Sequence, residues 1–105
     1  MSDSYLYAIG PYNDGPIKIG FSKTPDKRLK VLQTGHPETL YLHKKSKFSA
    51  SKIRLIERLM HKDYAHRKTK GEWFNMKPEE AIDFIEHMRI LHEDTDEGTL
   101  RSLTR

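Results

Sequence analysis

Tyr5-Leu6-Tyr7-Ala8-Ile9 and Ile17-Lys18-Ile19-Gly20 are two short apolar runs, separated by a turn segment that holds Pro11, Asn13, Asp14, Gly15 and Pro16. Runs of this length bounded by turn formers read as the paired strands of a hairpin with a loop of several residues. Successive strand side chains point to opposite faces, so Tyr5, Tyr7 and Ile9 share one face and Leu6 and Ala8 the other. Thr24 suits an N-cap and Pro25 the first helical position, which predicts a helix through Arg28, Leu29 and Leu32 that stops at Gly35 before His36-Pro37. Thr39 to Phe48 reads as a third strand, with Leu40 and Leu42 on one side. Ser49 or Ser51 caps a second helix, in which Ile53, Ile56, Met60 and Tyr64 form one buried stripe. His66 to Lys70 reads as a basic loop, and Glu72-Trp73-Phe74 as a short strand or an anchor on the core. Pro78 opens a third helix with Ala81, Ile82, Ile85 and Met88 at helical spacing. The expected fold is α/β (α+β): a small antiparallel sheet of three strands or slightly more, flanked by helices. Residues 1–92 form a single domain in this reading, and 93–105 an acidic, flexible C-terminal tail with no aromatic residue.

Composition narrows the function classes. A chain of 105 residues with 35% apolar content supports one modest core, not a catalytic domain plus a separate recognition domain. There is no cysteine, so disulfides and thiolate metal sites are excluded, and a cytoplasmic location is expected. No apolar run approaches the ~20 residues of a membrane span, and the first residues do not read as a signal peptide.

The formal charge of +4 conceals an asymmetry. Residues 1–70 carry 15 Lys/Arg against 6 Asp/Glu, whereas residues 71–105 carry 4 against 9. A basic segment of this size suits a polyanion, because each phosphate neutralised releases counterions. The basic residues also interleave with Tyr41, His43, Tyr64 and His66, which can stack or hydrogen-bond, and this favours nucleic acid over a merely solvated basic surface.

Several motifs, in this order, resemble the GIY-YIG nuclease superfamily, in particular its small phage-associated DNA-binding or nuclease branch. Tyr5-Leu6-Tyr7 stands in the GIY place and Lys18-Ile19-Gly20 in the YIG place. Ser22, Lys27-Arg28-Leu29, Leu32-Gln33-Thr34-Gly35, Ile56-Glu57 with His61, and Glu72-Trp73-Phe74 follow. The resemblance spans roughly residues 4–77. It implies a metal-dependent endonuclease (a hydrolase of DNA phosphodiesters) of low intrinsic sequence specificity, using Mg2+ or Mn2+. Tyr7 then matches the GIY tyrosine, Arg28 the helix arginine beside the scissile phosphate, and Glu57 the metal ligand. Lys18 joins the catalytic set, as does His61, either as a second metal ligand or as a proton shuttle. Two positions depart from the pattern: Tyr5 replaces the motif glycine and Lys18 replaces the YIG tyrosine.

The chemistry of these residue types agrees with such roles. A metal polarises phosphoryl oxygens, and a guanidinium fork pairs with the non-bridging ones. A phenol activates water only if its pKa of about 10 is pulled down, a field that Lys18 and Arg28 could supply. Each residue also has a plain structural reading. Tyr7 could be an ordinary strand aromatic, Arg28 a solvated helix residue, and Glu57 with His61 at i+4 a local hydrogen-bonded pair. Lys23, Lys27, Lys30, Arg54 and Arg58 are the expected DNA-binding cations, gathered on one side with His61. DNA is the expected partner, with no membrane and with room for a homodimer or a larger host or phage complex. Two alternatives stay open: a catalytically inactive DNA-binding module of the same fold, and a phage or mobile-element protein-interaction domain.

Overall fold

The computed structural model describes residues 3–94. Strands β1 (Ser4–Gly10) and β2 (Ile17–Ser22) form the expected hairpin, with Tyr7 opposite Gly20 and Ile9 opposite Lys18. Helix α1 (Pro25–Gln33) follows, then β3 (Tyr41–Phe48) and helix α2 (Ala50–Tyr64). A single 3₁₀ turn at Ala65–Arg67 leads to β4 (Lys68–Lys70) and β5 (Trp73–Phe74), and helix α3 (Pro78–Asp94) completes the described chain.

The sheet is antiparallel and five-stranded, in the order β3-β1-β2-β5-β4, where three strands or slightly more were expected. The two added strands come from the stretch read as a basic loop and from the Trp-Phe pair. Lys68–Lys70 is exposed throughout and has no apolar alternation, so nothing in its side chains announces a strand. It is made by the turn: Gly71 adopts φ 56°, a left-handed conformation that glycine takes without strain, and folds Lys68–Lys70 back on Trp73–Phe74. Likewise β3 starts at Tyr41 rather than Thr39, because the Leu40 N–H donates to the Gln33 side-chain oxygen (2.7 Å) instead of to the ladder. At the end of α1, Gly35 has φ 88° and turns the chain out of the helix, in the place expected of it.

Two clusters of buried side chains lie on opposite sheet faces. Leu6, Ala8, Ile17, Ile19, Phe48 and Phe74 pack with Leu55, Ile56, Leu59 and Met60 of α2 and with Ala81, Phe84, Ile85 and Met88 of α3. Tyr7, Ile9 and Leu40 pack with Leu29 and Leu32 of α1, with Leu42 and with Trp73. Helices α1 and α2 therefore cover different faces, and their cations do not form the single patch expected from the sequence. Helix α3 runs to Asp94; the rest of the expected tail, residues 95–105, lies outside the described residues.

Candidate nucleic-acid interface and active site

The α1 face of the sheet carries the chemistry. Pairing register puts Tyr7, Lys18, Gly20 and Trp73 on one side of three adjacent strands, β1, β2 and β5. Tyr7 is 2% exposed. Arg28 of α1 acts on its hydroxyl through hydrogen bonding and charge. Burial nonetheless dominates and holds the phenol above its usual pKa: Arg28 pulls it down by its hydrogen bond and charge, and Glu72 pushes it up. The cation field expected to activate Tyr7 is thus outweighed, and the phenol stays neutral near pH 7.

Lys18 is 7% exposed, an ammonium that needs a compensating charge. Glu72 supplies it, with Oε1 3.3 Å from Nζ, and its own side chain remains 51% exposed. The same ammonium lies 5.7 Å from the Trp73 ring centroid, and Trp73 is stacked on His36 at 5.9 Å. Glu72 is held at the sheet by its carbonyl, which accepts from the Ile19 N–H at 3.2 Å.

Gly20 makes the cluster sterically feasible. A Cβ at this position would lie 2.9 Å from the Tyr7 hydroxyl oxygen and 3.1 Å from Glu72 Oε1, so both oxygens close on space that only glycine leaves empty. Reading motifs by position identified Tyr7, Lys18 and Arg28, and the fold brings them together. Glu72 is legible in the sequence only as part of the Glu72-Trp73-Phe74 strand or anchor, because its partner is set by the register of a two-residue strand.

The other site candidates lie elsewhere. Glu57 is half-buried on α2, whose buried stripe packs on the opposite sheet face, and His61 is exposed one turn later. Among the described residues no ion pair or side-chain hydrogen bond holds the Glu57 carboxylate. Among the described residues no three His, Cys, Asp or Glu side chains gather as a closed metal cage. Lys23, Lys27 and Lys30 are exposed on and beside α1, whereas Arg54 and Arg58 are exposed on α2. Asn75 is engaged through its backbone: its N–H donates to the Arg67 carbonyl at 2.6 Å and its carbonyl accepts from Arg67 Nε at 3.0 Å.

The family model of the T5orf172 domain matches residues 4–89, which include every strand and all but the end of α3. The chain belongs to the T5orf172 domain family. T5orf172 domains are phage-associated and related to nuclease-type domains. No curated protein and no solved structure matches the chain. No described helix is long and apolar enough to cross a membrane.

Proposed function

We propose that this T5orf172 domain binds DNA on its α1 face and cleaves phosphodiesters with a GIY-YIG-type arrangement of Tyr7, Lys18 and Arg28. The observation that carries this reading is the chain of contacts that joins those three side chains: Arg28 acts on the Tyr7 hydroxyl, and Lys18 pairs with Glu72, whose carboxylate closes with that hydroxyl on Gly20. Arg28 and Lys18 would pair with non-bridging phosphate oxygens, and the neutral Tyr7 hydroxyl would donate to a third oxygen or to the attacking water. Lys23, Lys27 and Lys30 would hold the flanking backbone without reading bases, which fits low sequence specificity.

The resemblance also implies a divalent ion with Glu57 as its protein ligand, but Glu57 stands on α2, which packs on the sheet face opposite the Tyr7 cluster, so this carboxylate does not fit an ion shared with that cluster. His61, one turn along α2, stands apart from the cluster in the same way.

The non-catalytic DNA-binding reading is favoured by two features of the same site. Lys18 is already neutralised by Glu72, and the Tyr7 phenol is held above its usual pKa rather than below it. A supercoiled-plasmid nicking assay with Mg2+ or Mn2+ decides between the two. Nicking by wild type that is lost in Arg28→Ala supports the nuclease reading. Salt-sensitive DNA binding without nicking under any divalent ion establishes the binding module. No DNA binding at low salt would overturn both and leave a protein-interaction domain.

A further inference from the structure

We propose that Glu72 is the general base of this site, the carboxylate that takes the proton from the attacking water. The inference rests on the nuclease reading above and adds to it a residue and a role.

Four observations support it. The Glu72 carboxylate and the Tyr7 hydroxyl close on one point beside Gly20, at 3.1 and 2.9 Å, so the carboxylate neighbours the Tyr7–Arg28 pair at which the phosphate is proposed to dock. Glu72 is 51% exposed and open to solvent water, whereas Tyr7 is enclosed. Backbone pairing at Ile19 and Trp73 fixes the strand that presents it, and Lys18 fixes its carboxylate. Asp26, the carboxylate at the start of α1, is already paired with Lys45 at 3.2 Å. The charged or titratable groups facing Glu72 are Lys18 from β2 and Tyr7 from β1, with Arg28 of α1 behind Tyr7 and His36 behind Trp73.

The step balances as a hydrolysis. One water O–H bond breaks and its proton passes to a Glu72 oxygen, while the water oxygen bonds to phosphorus. The bond from phosphorus to the leaving ester oxygen breaks, and that oxygen takes a proton from solvent. Glu72 then releases its proton to solvent. The products are a phosphate monoester and a free hydroxyl, with no oxidant or further reactant required.

Glu72→Gln keeps the size and a hydrogen-bonding group beside Lys18 but cannot accept the proton. Its nicking rate should fall by about 100-fold or more, the usual range for a lost general base. Its DNA affinity, measured in EDTA, should be unchanged or tighter, because Lys18 is released to pair with phosphate. In Glu72→Ala, added formate should restore part of the nicking, which a merely structural role does not predict. A Glu72→Gln protein that nicks at the wild-type rate overturns this inference and leaves the nuclease reading intact. So does a Glu72→Ala protein that binds DNA and melts like wild type but shows no formate rescue. Loss of DNA binding together with loss of melting temperature would assign Glu72 a structural role and overturn it as well. A wild type that never nicks overturns the nuclease reading and this inference with it.

Discussion

The two faces of the sheet are built to different rules, although the same strands supply both. On the α2/α3 side, Leu6, Ala8, Ile17, Ile19 and Phe74 are fully enclosed and apolar, and their partners are too. On the α1 side the equivalent positions hold a phenol, an ammonium, a bare glycine and a tryptophan, and the cover is a short helix with only Pro25 fully buried. A close-packed apolar interior resists loss of volume, because its neighbours cannot collapse into the gap. A layer that keeps a buried cation and a half-exposed carboxylate instead trades burial for chemistry. The difference teaches that stability resides mainly on one face and the candidate function on the other.

Adjacent residues of β5 give the sharpest way to break this comparison, since Trp73 faces α1 and Phe74 faces the core. Phe74→Ala should cost about 3–5 kcal/mol, a large share of the stability of a domain this size, and should leave little folded protein. Trp73→Ala should cost clearly less in urea denaturation, because its ring is half-buried and borders solvent. Its damage should fall instead on Lys18, which loses its aromatic contact. Equal losses from the two substitutions would erase the distinction between the faces.

Much of this architecture was legible because periodicity is a local property. The hairpin, α1, α2 and α3 follow from apolar spacing, proline at a helix start and glycine past a helix end. The site was legible only as far as residues in fixed elements determine it: Tyr7, Lys18 and Arg28 stand where the motif order puts them. What escaped depends on long-range pairing. β4 consists of three exposed residues with no pattern of its own, and β5, read as a short strand or an anchor, is too short to name the strand it pairs with. Their docking beside β2 is what carries Glu72 to Lys18. The balance of burial against charge at Tyr7 was equally hidden, since it depends on how completely α1 and β3 cover the ring. The expectation of a common cationic side failed for a similar reason, because helical spacing identifies a buried stripe without saying which sheet face receives it.

Charge reversals extend the comparison to DNA. If DNA lies on the α1 face, Lys27→Glu or Lys30→Glu should weaken binding about equally for all sequences. Each should flatten the dependence of log K on log salt by about one unit, the value of one phosphate contact. Arg58→Glu, on the helix that covers the other face, should change affinity much less. Titrations at several salt concentrations read this directly. A larger effect from Arg58 than from Lys27 would move the interface to α2, toward Glu57 and His61.

The smallest expected effect comes from contrasting two ion pairs. Lys18–Glu72 is one contact with a carboxylate left half open, which suits a working group. Arg67–Glu80 is saturated: the guanidinium donates to both Glu80 oxygens at 2.6 and 2.7 Å, and the Lys77 N–H donates to one of them at 3.1 Å. That arrangement ties the segment before β4 to the first turn of α3, and it holds Glu80 at a pKa of about 2, chiefly through the Arg67 hydrogen bonds and then the Lys77 N–H. A carboxylate whose folded pKa is depressed stabilises the fold above its ordinary pKa, and that contribution disappears as pH falls through the folded value. Because the Glu80 side chain is 40% exposed, solvent screens the pair, and its worth should stay under about 1 kcal/mol. Glu80→Gln should therefore melt slightly below wild type at pH 7, with the gap closing between the ordinary carboxylate range and pH 2. DNA binding and nicking at pH 7 should not change, since the pair lies away from the Tyr7 cluster. Thermal melts at a series of pH values test the point. A gap that widens toward pH 2 would show that Glu80 is not the group whose protonation weakens the fold, and a loss of nicking in this variant would show that the α3 side is coupled to the site after all.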